Sequence, residues 1–203
     1  MRSASEAPAG MAEQVVLLDE TGRAAGIADK RTVHHGATPR HLAFSCYVFD
    51  ADDNVLLTQR SGAKLTFPGV WTNTVCGHPA PGETMTAAVC RRARDELGLV
   101  VEDLRLVLPR FAYVAEMNGV VENELCPVFV GRAVLGTAVS PDPAEVDATR
   151  WHPWAQVCDA VLAGERPVSP WCADQVRLLA SLGPTPADWP DGDPLELPAA
   201  AVL

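Results

Sequence analysis

No stretch of this sequence approaches the roughly 20 consecutive apolar residues that span a bilayer, and its first ten residues carry no apolar run. Neither membrane insertion nor a secretion signal is expected, and cytoplasm is the default compartment. Positive charge is also scarce, with 16 basic against 26 acidic residues and a net charge of -10. That average field repels a nucleic-acid backbone. It leaves room for a phosphorylated small molecule if the few cations gather locally or act through a divalent metal. The six cysteines, at 46, 76, 90, 126, 158 and 172, form no CxxC pair. A reduced intracellular protein whose thiols are mostly small buried hydrophobes is the simpler reading. The five histidines, at 34, 35, 41, 78 and 152, form neither HxH nor HExxH.

What is present suits one folded domain. The chain has 203 residues and is 48% hydrophobic, enough for a sizeable core without staples. Residues 1–12 read as a flexible tail and 13–183 as a single catalytic domain. Pro184, Pro186, Pro190, Pro194 and Pro198 allow neither helix nor central strand, so 184–203 reads as a mobile end.

Strands are expected over 14–18, 41–49, 55–59, 106–116 and 120–130, with Asn118-Gly119 as a hairpin turn. Residues 60–82 and 140–150 read as loops. Met85, Val89, Ala93 and Leu97 recur every four positions, which predicts one helix face closed by Gly98. Helices are also expected over 154–163 and from Pro170 to Leu182, the second capped by Ser169. Hairpins outnumber strand–helix–strand units. The expected fold class is α+β, a mixed sheet packed against helices.

Glu122 and Glu124 are two apart on an expected strand, so their carboxylates share a face. Val120, Val121, Leu125, Cys126, Val128 and Phe129 surround them. Like charges in so apolar a setting are costly unless they share a cation or a proton. A solvated strand face is the bland alternative. His34, His41 and His78 are possible ligands, though spacing alone reads each more readily as a surface or structural histidine. Imidazoles with carboxylates suit Zn, Mn or Fe, and Mg favours oxygen. Cys76 lies in a Gly/Pro-rich loop with Trp71, Asn73 and His78, a loop too long for a mere spacer. Arg92 and Glu96 form an i, i+4 pair, routine on a helix surface. Lys30, Arg60, Lys64 and Arg92 could gather as a diphosphate clamp.

Residues 77–99, GHPAPGETMTAAVCRRARDELGL, resemble the Nudix box. Gly77, Glu83, Arg91, Asp95, Glu96, Gly98 and Leu99 fit its pattern. Arg92 does not, because Nudix hydrolases carry a metal-binding Glu directly after the Arg. That departure, with HLAFSCYVFD, FPGVWTNTVCGHP, VENELCPVF and SPW, resembles the type I isopentenyl-diphosphate isomerases from about Gln14 to Leu182.

The resemblance implies a Nudix-like fold with extra N- and C-terminal elements. It implies an isoprenoid diphosphate as substrate, no nucleic acid, no membrane insertion and a monomer. On the matching positions it implies Cys76, Glu124 and Tyr113 as catalytic residues. Lys30, Arg60, Lys64 and Arg92 match the diphosphate contacts, and Trp171 the aromatic that faces a carbocation. His34, His41, His78, Glu122 and Glu124 match ligands of a protein-bound ion, Mn2+, Mg2+ or Zn2+. Glu96 matches a ligand of Mg2+ held with the diphosphate. Glu83 is given no catalytic role. The implied reaction protonates C4 of isopentenyl diphosphate, passes through a tertiary cation at C3 and removes a proton from C2. Which of Cys76 and Glu124 gives the first proton stays open.

Overall fold

The computed structural model describes residues 13–203. Residues 1–12, expected as a tail, lie outside the described residues. Strands β1 (Gln14–Leu18) and β2 (Ala24–Asp29) form a hairpin that leads into a one-turn helix α1 (Lys30–Val33). Asp29 caps that turn by accepting from the Arg31 backbone N–H. Next come β3 (His41–Leu42), β4 (Phe44–Phe49), β5 (Asn54–Arg60), β6 (Trp71–Thr72) and β7 (Val75–Gly77).

Helix α2 (Met85–Leu97) buries Met85, Val89, Ala93 and Leu97, the face its spacing predicts. Thr84 caps its start, and Gly98, at φ 65°, supplies the left-handed cap at its end. Then follow β8 (Val101–Leu108), β9 (Ala112–Met117), β10 (Val120–Leu125), β11 (Val128–Ala133) and β12 (Val146–Pro153). Asn118 and Gly119, both at positive φ, turn β9 into β10 as expected. Helices α3 (Trp154–Leu162) and α4 (Pro170–Leu182) complete the body, with Ser169 capping α4 through the Cys172 N–H.

The strands form two sheets. One has the order β2-β1-β3-β10-β9 and the other β12-β5-β4-β11-β8, with β6 on β5 and β7 on β4. This is an α+β architecture. Residues 41–49, 106–116 and 120–130, each expected as one strand, are each split, 106–116 between β8 and β9 in different sheets. The chain crosses from the first sheet to the second at Ala43 and again at Cys126-Pro127. The crossings are tied together, Ala43 N–H donating to Leu125 O and Ser45 N–H to Pro127 O. Pro127 has no N–H to give a ladder, which suits it to the break.

Every residue of β4 is buried, because it is central and covered on both faces. Phe44, Cys46 and Val48 face the core around α2, while Tyr47 and Phe49 face the core of α3 and α4. Residues 23–40 hold β2 and α1, and residues 60–82, expected as a loop, contain β6 and β7. The expected loop over 140–150 ends at 145, where Val146 opens β12, an edge strand on β5.

Segment 184–203 also differs from the expected loose end. It forms two 3-10 turns, Pro186–Asp188 and Pro194–Glu196, and lies along the body. Trp189 is buried against Trp154 and Phe49, Gly192 N–H donates to Leu106 O, and Met85 N–H donates to Val202 O. Proline prevents regular elements there without preventing packing. No helix of the described residues is long and apolar enough to cross a membrane.

Candidate active site

A cavity of about 440 Å³ opens beside the two crossings. Its lining includes Lys30, His34, Cys76, Tyr113, Glu124 and Trp171. β10 brings Glu124 between two partners in register, His41 on β3 and Tyr113 on β9. β7 brings Cys76 from the other sheet, paired with Ser45 on β4. Gly77 leaves little room at that approach. A Cβ there would lie 3.0 Å from the Arg92 side chain and 3.1 Å from the Phe44 ring.

His34, His41, His78 and Glu124 each offer a ligand atom, all within 4.8 Å of one another. Glu124 Oε1 lies 3.1 Å from His78 Nε2 and 3.4 Å from His41 Nε2. His41 Nδ1 stands 2.9 Å from Pro39 O, which can only accept, so Nδ1 holds a hydrogen. A neutral His41 therefore aims a lone pair at a carboxylate, an arrangement that calls for a cation between them. Without an ion a proton takes that place. Burial works against a charged His41, yet Glu124 outweighs it and holds the imidazole above its usual value. Burial foremost lowers His34 and His78 to about 4, so both are neutral lone-pair donors at pH 7. His34 Nε2, His41 Nε2 and His78 Nδ1 are buried without hydrogen-bond partners. Such orphaned nitrogens beside a carboxylate fit a divalent ion.

Glu122 shares the buried face of Glu124 but stands apart from the histidines. Tyr113 Oη lies 2.7 Å from Glu122 Oε2 and 2.9 Å from Glu124 Oε2. One hydroxyl has one proton, so the two carboxylates cannot both receive it. Burial and then the Glu124 charge push Glu122 up. Burial also works against charged Glu124, but His41 and His78 hold it well below the usual range. Arg60 lies 3.7 Å from Glu122 and its guanidinium sits 5.5 Å over the Trp171 ring. Trp171 is otherwise enclosed by Tyr113 and Phe67.

Cys76 Sγ lies 3.2 Å from Asn73 Oδ1 and 3.4 Å from Ser45 Oγ. Burial pushes its thiol up to about 11, so it carries its proton at pH 7. Lys30, Arg60, Lys64 and Arg92 line the same cavity. Glu13 meets Lys30 at 2.5 Å, and Glu145 meets Lys64 and, at 3.3 Å, Arg92. Arg92 and Glu96 form their expected pair, but both are buried rather than on a helix surface. Glu96 is thus placed beside Arg92, away from the histidines. Glu83 takes both of its contacts with Arg91 at 2.7 Å, a pair that ties the box loop to α2.

The structure thus gathers most of the sequence-derived residues around one cavity, as a histidine cluster, a thiol, an aromatic wall and a cationic rim, with His41 buried behind its histidines; Glu96 does not join them and lines a small neighbouring pocket instead. Glu13, Glu145, Ser45 and Gln175 were not singled out from sequence. A lone serine inside the buried run FSCYVF was the one available signal.

The NUDIX domain family matches residues 39–172. An isopentenyl-diphosphate Delta-isomerase from Saccharopolyspora erythraea is 57% identical over 192 residues, 94% of this chain and 98% of that protein. A protein of the same name from Mycolicibacterium vanbaalenii is 57% identical over 173 residues, 85% of this chain and 94% of that one. The crystal structure of DR0079 from Deinococcus radiodurans has a TM-score of 0.61 at 18% identity, over 82% of this chain and 98% of that one. That likeness shows the shared fold. Sequence identity over nearly the whole length, with the domain match at its centre, establishes that the chain belongs to the NUDIX-domain isopentenyl-diphosphate Delta-isomerase family.

Proposed function

We propose that this protein interconverts isopentenyl and dimethylallyl diphosphate by moving one double bond. The observation that carries the reading is the meeting of Cys76 and Glu124 in one cavity, each from a different sheet, below a rim of four cations. Lys30, Lys64 and Arg92 bind the diphosphate, exchanging Glu13 and Glu145 for phosphate oxygens, and Arg60 joins them from its place beside Glu122. The hydrocarbon end then lies against Tyr113 and Trp171.

One member of the Cys76–Glu124 pair delivers a proton to C4, making a methyl group and a tertiary cation at C3. The other removes a proton from C2, which leaves the C2–C3 double bond. The Trp171 ring stabilises the cation without being a good nucleophile. The aromatic wall excludes water, which would trap the cation as an alcohol. Tyr113 orients Glu124 through its hydroxyl. Glu122, next to Tyr113 and Arg60, supports that orientation.

His34, His41, His78 and Glu124 would hold one divalent ion, Mn2+, Mg2+ or Zn2+, which when bound would fix the Glu124 carboxyl in place and tune its acidity. Glu96 would meet Mg2+ carried by the diphosphate. Six unpaired thiols suit a reducing cytoplasm.

The test is incubation of pure protein with isopentenyl diphosphate and Mg2+ in D2O, followed by product separation. Dimethylallyl diphosphate carrying deuterium in a methyl group is expected. Phosphate release as the main outcome would replace this reading with a hydrolase.

A further inference from the structure

A line of hydrogen bonds runs behind Cys76, on the side away from the cavity. Tyr47 donates its hydroxyl to Gln175 Oε1 at 3.0 Å, and Gln175 Nε2 donates to Ser45 Oγ at 2.9 Å. Ser45 Oγ lies 3.4 Å from Cys76 Sγ and equally 3.4 Å from Cys126 Sγ. Tyr47, Ser45 and Gln175 are all at 0% exposure. Burying three polar side chains is costly unless every bond is made, and apolar residues would fill the space at less cost. The line therefore needs a reason other than packing.

Donor and acceptor roles supply its direction. An amide NH2 only donates, so it occupies a lone pair on Ser45 Oγ. The Ser45 proton must then go to another atom, and the two acceptors in reach are sulfurs. Cys76 in turn donates its S–H to Asn73 Oδ1, which also receives Thr72 Oγ1 at 2.9 Å and Trp171 Nε1 at 3.2 Å. Cys76 Sγ thus has an outgoing bond to Asn73 and a lone pair within reach of the Ser45 proton, for which Cys126 Sγ competes at the same distance. The strand register keeps the incoming donor in place, because Ser45 and Cys76 are direct partners on β4 and β7. The opposite amide orientation would turn the Tyr47 hydroxyl to Cys172 Sγ, at a longer 3.6 Å.

We infer that Ser45 and Gln175 are positioning residues for the proton transfer at Cys76. Gln175 directs the Ser45 hydroxyl onto the Cys76 sulfur, and that bond holds the sulfur in one orientation. The inference rests on the isomerase reading above and adds to it the residues that aim the thiol. Neither touches the substrate.

The experiment measures kcat and KM for S45A, Q175M, their double variant and C126A, with Tm and metal content alongside. S45A removes one oxygen from a packed site. It is expected to lower kcat about 10- to 100-fold, the cost of a misaimed reacting group. Its KM should stay within about twofold, since diphosphate binding is untouched. Q175M should lower kcat alike, and adding it to S45A should cost nothing more, because its effect passes through Ser45. C126A removes the competing sulfur and should leave kcat unchanged or raise it. The inference is overturned if S45A keeps kcat within about twofold of wild type. It is also overturned if S45A and Q175M multiply, or if C126A loses as much as S45A. Should Q175M not fold, S45A and C126A decide alone. Failure of the isomerase reading itself would show as wild-type protein without turnover, whereas failure here leaves wild type active and S45A equal to it.

Discussion

His41 Nε2 points at Glu124 Oε1 from 3.4 Å, and β3 and β10 hold the two residues directly in register. Backbone pairing thus brings an unpartnered imidazole nitrogen against a carboxylate, with His34 and His78 close by. Side chains alone would relax such a contact. The parallel strand pair does not let them, so a cation is the natural relief.

Purified wild type is therefore expected to carry one tightly held divalent ion, and H34A or H78A to lose it. Chelation should lower Tm. An ion at about 100 times its Kd contributes about 2.7 kcal/mol to the folded state. Elemental analysis and thermal unfolding with and without chelator are the measurements. An active wild type free of metal would sink the claim.

Cys76→Ser is expected to lower kcat by about 10²- to 10⁴-fold, the usual contribution of a positioned proton-transfer group. Serine nearly matches the thiol in size, so Tm should change little. C90S, altering a half-buried thiol on α2 that does not line the cavity, is the control. Near wild-type kcat in C76S would falsify the proton-transfer role.

Trp189 packs edge-on to Trp154 at 5.2 Å and to Phe49 at 5.9 Å, and donates Nε1–H to Gly183 O at 3.0 Å. Trp189→Ala should cost about 3–5 kcal/mol of stability, as for other buried aromatics. KM should hold, because Trp189 does not line the cavity. Chemical denaturation reads the cost. An unchanged midpoint would mean that the 184–203 segment does not pack this way in solution.

Burial pushes the Glu145 carboxyl up, but Lys64 and Arg92 outweigh it and hold it down at about 2, against an ordinary 4.5. The unfolded chain then takes up the proton first as pH falls. The stabilisation is full above pH 4.5 and fades as pH drops toward 2. Glu145→Gln should therefore be less stable than wild type at neutral pH, with a gap that narrows in acid. Urea unfolding of both proteins at pH 7, 4.5 and 3.5 checks this. A gap that does not change with pH would assign the loss to packing instead.

Local spacing was enough for α2, since its apolar face depends only on residues within a few turns of one another. The same holds for the Asn118-Gly119 turn, where two residues carry the positive φ. It was not enough for 41–49 or 120–130. Each has the apolar run of one buried strand, and the break is set by the other segment crossing beside it. Val146–Pro153 escaped notice because an edge strand needs only one partner, here β5, and carries polar residues along its length.

The functional residue types were legible in the motif, but their groupings were not. Glu122 and Glu124 share a face, yet Glu124 meets the histidines while Glu122 meets Tyr113 and Arg60. Ser45 and Gln175 looked like isolated polar residues.

The sequence by itself determined the charge balance, the helix faces, the turn chemistry and the motif that marks the family. These follow from composition and from neighbours close along the chain. The tertiary structure alone decided which carboxylate joins His34, His41 and His78, which carboxylates neutralise the cationic rim, and which buried donors reach Cys76. Those partners are far apart in sequence. Only two sheets that cross at Ala43 and Cys126 bring them within hydrogen-bonding distance, and burial then gives each contact its strength.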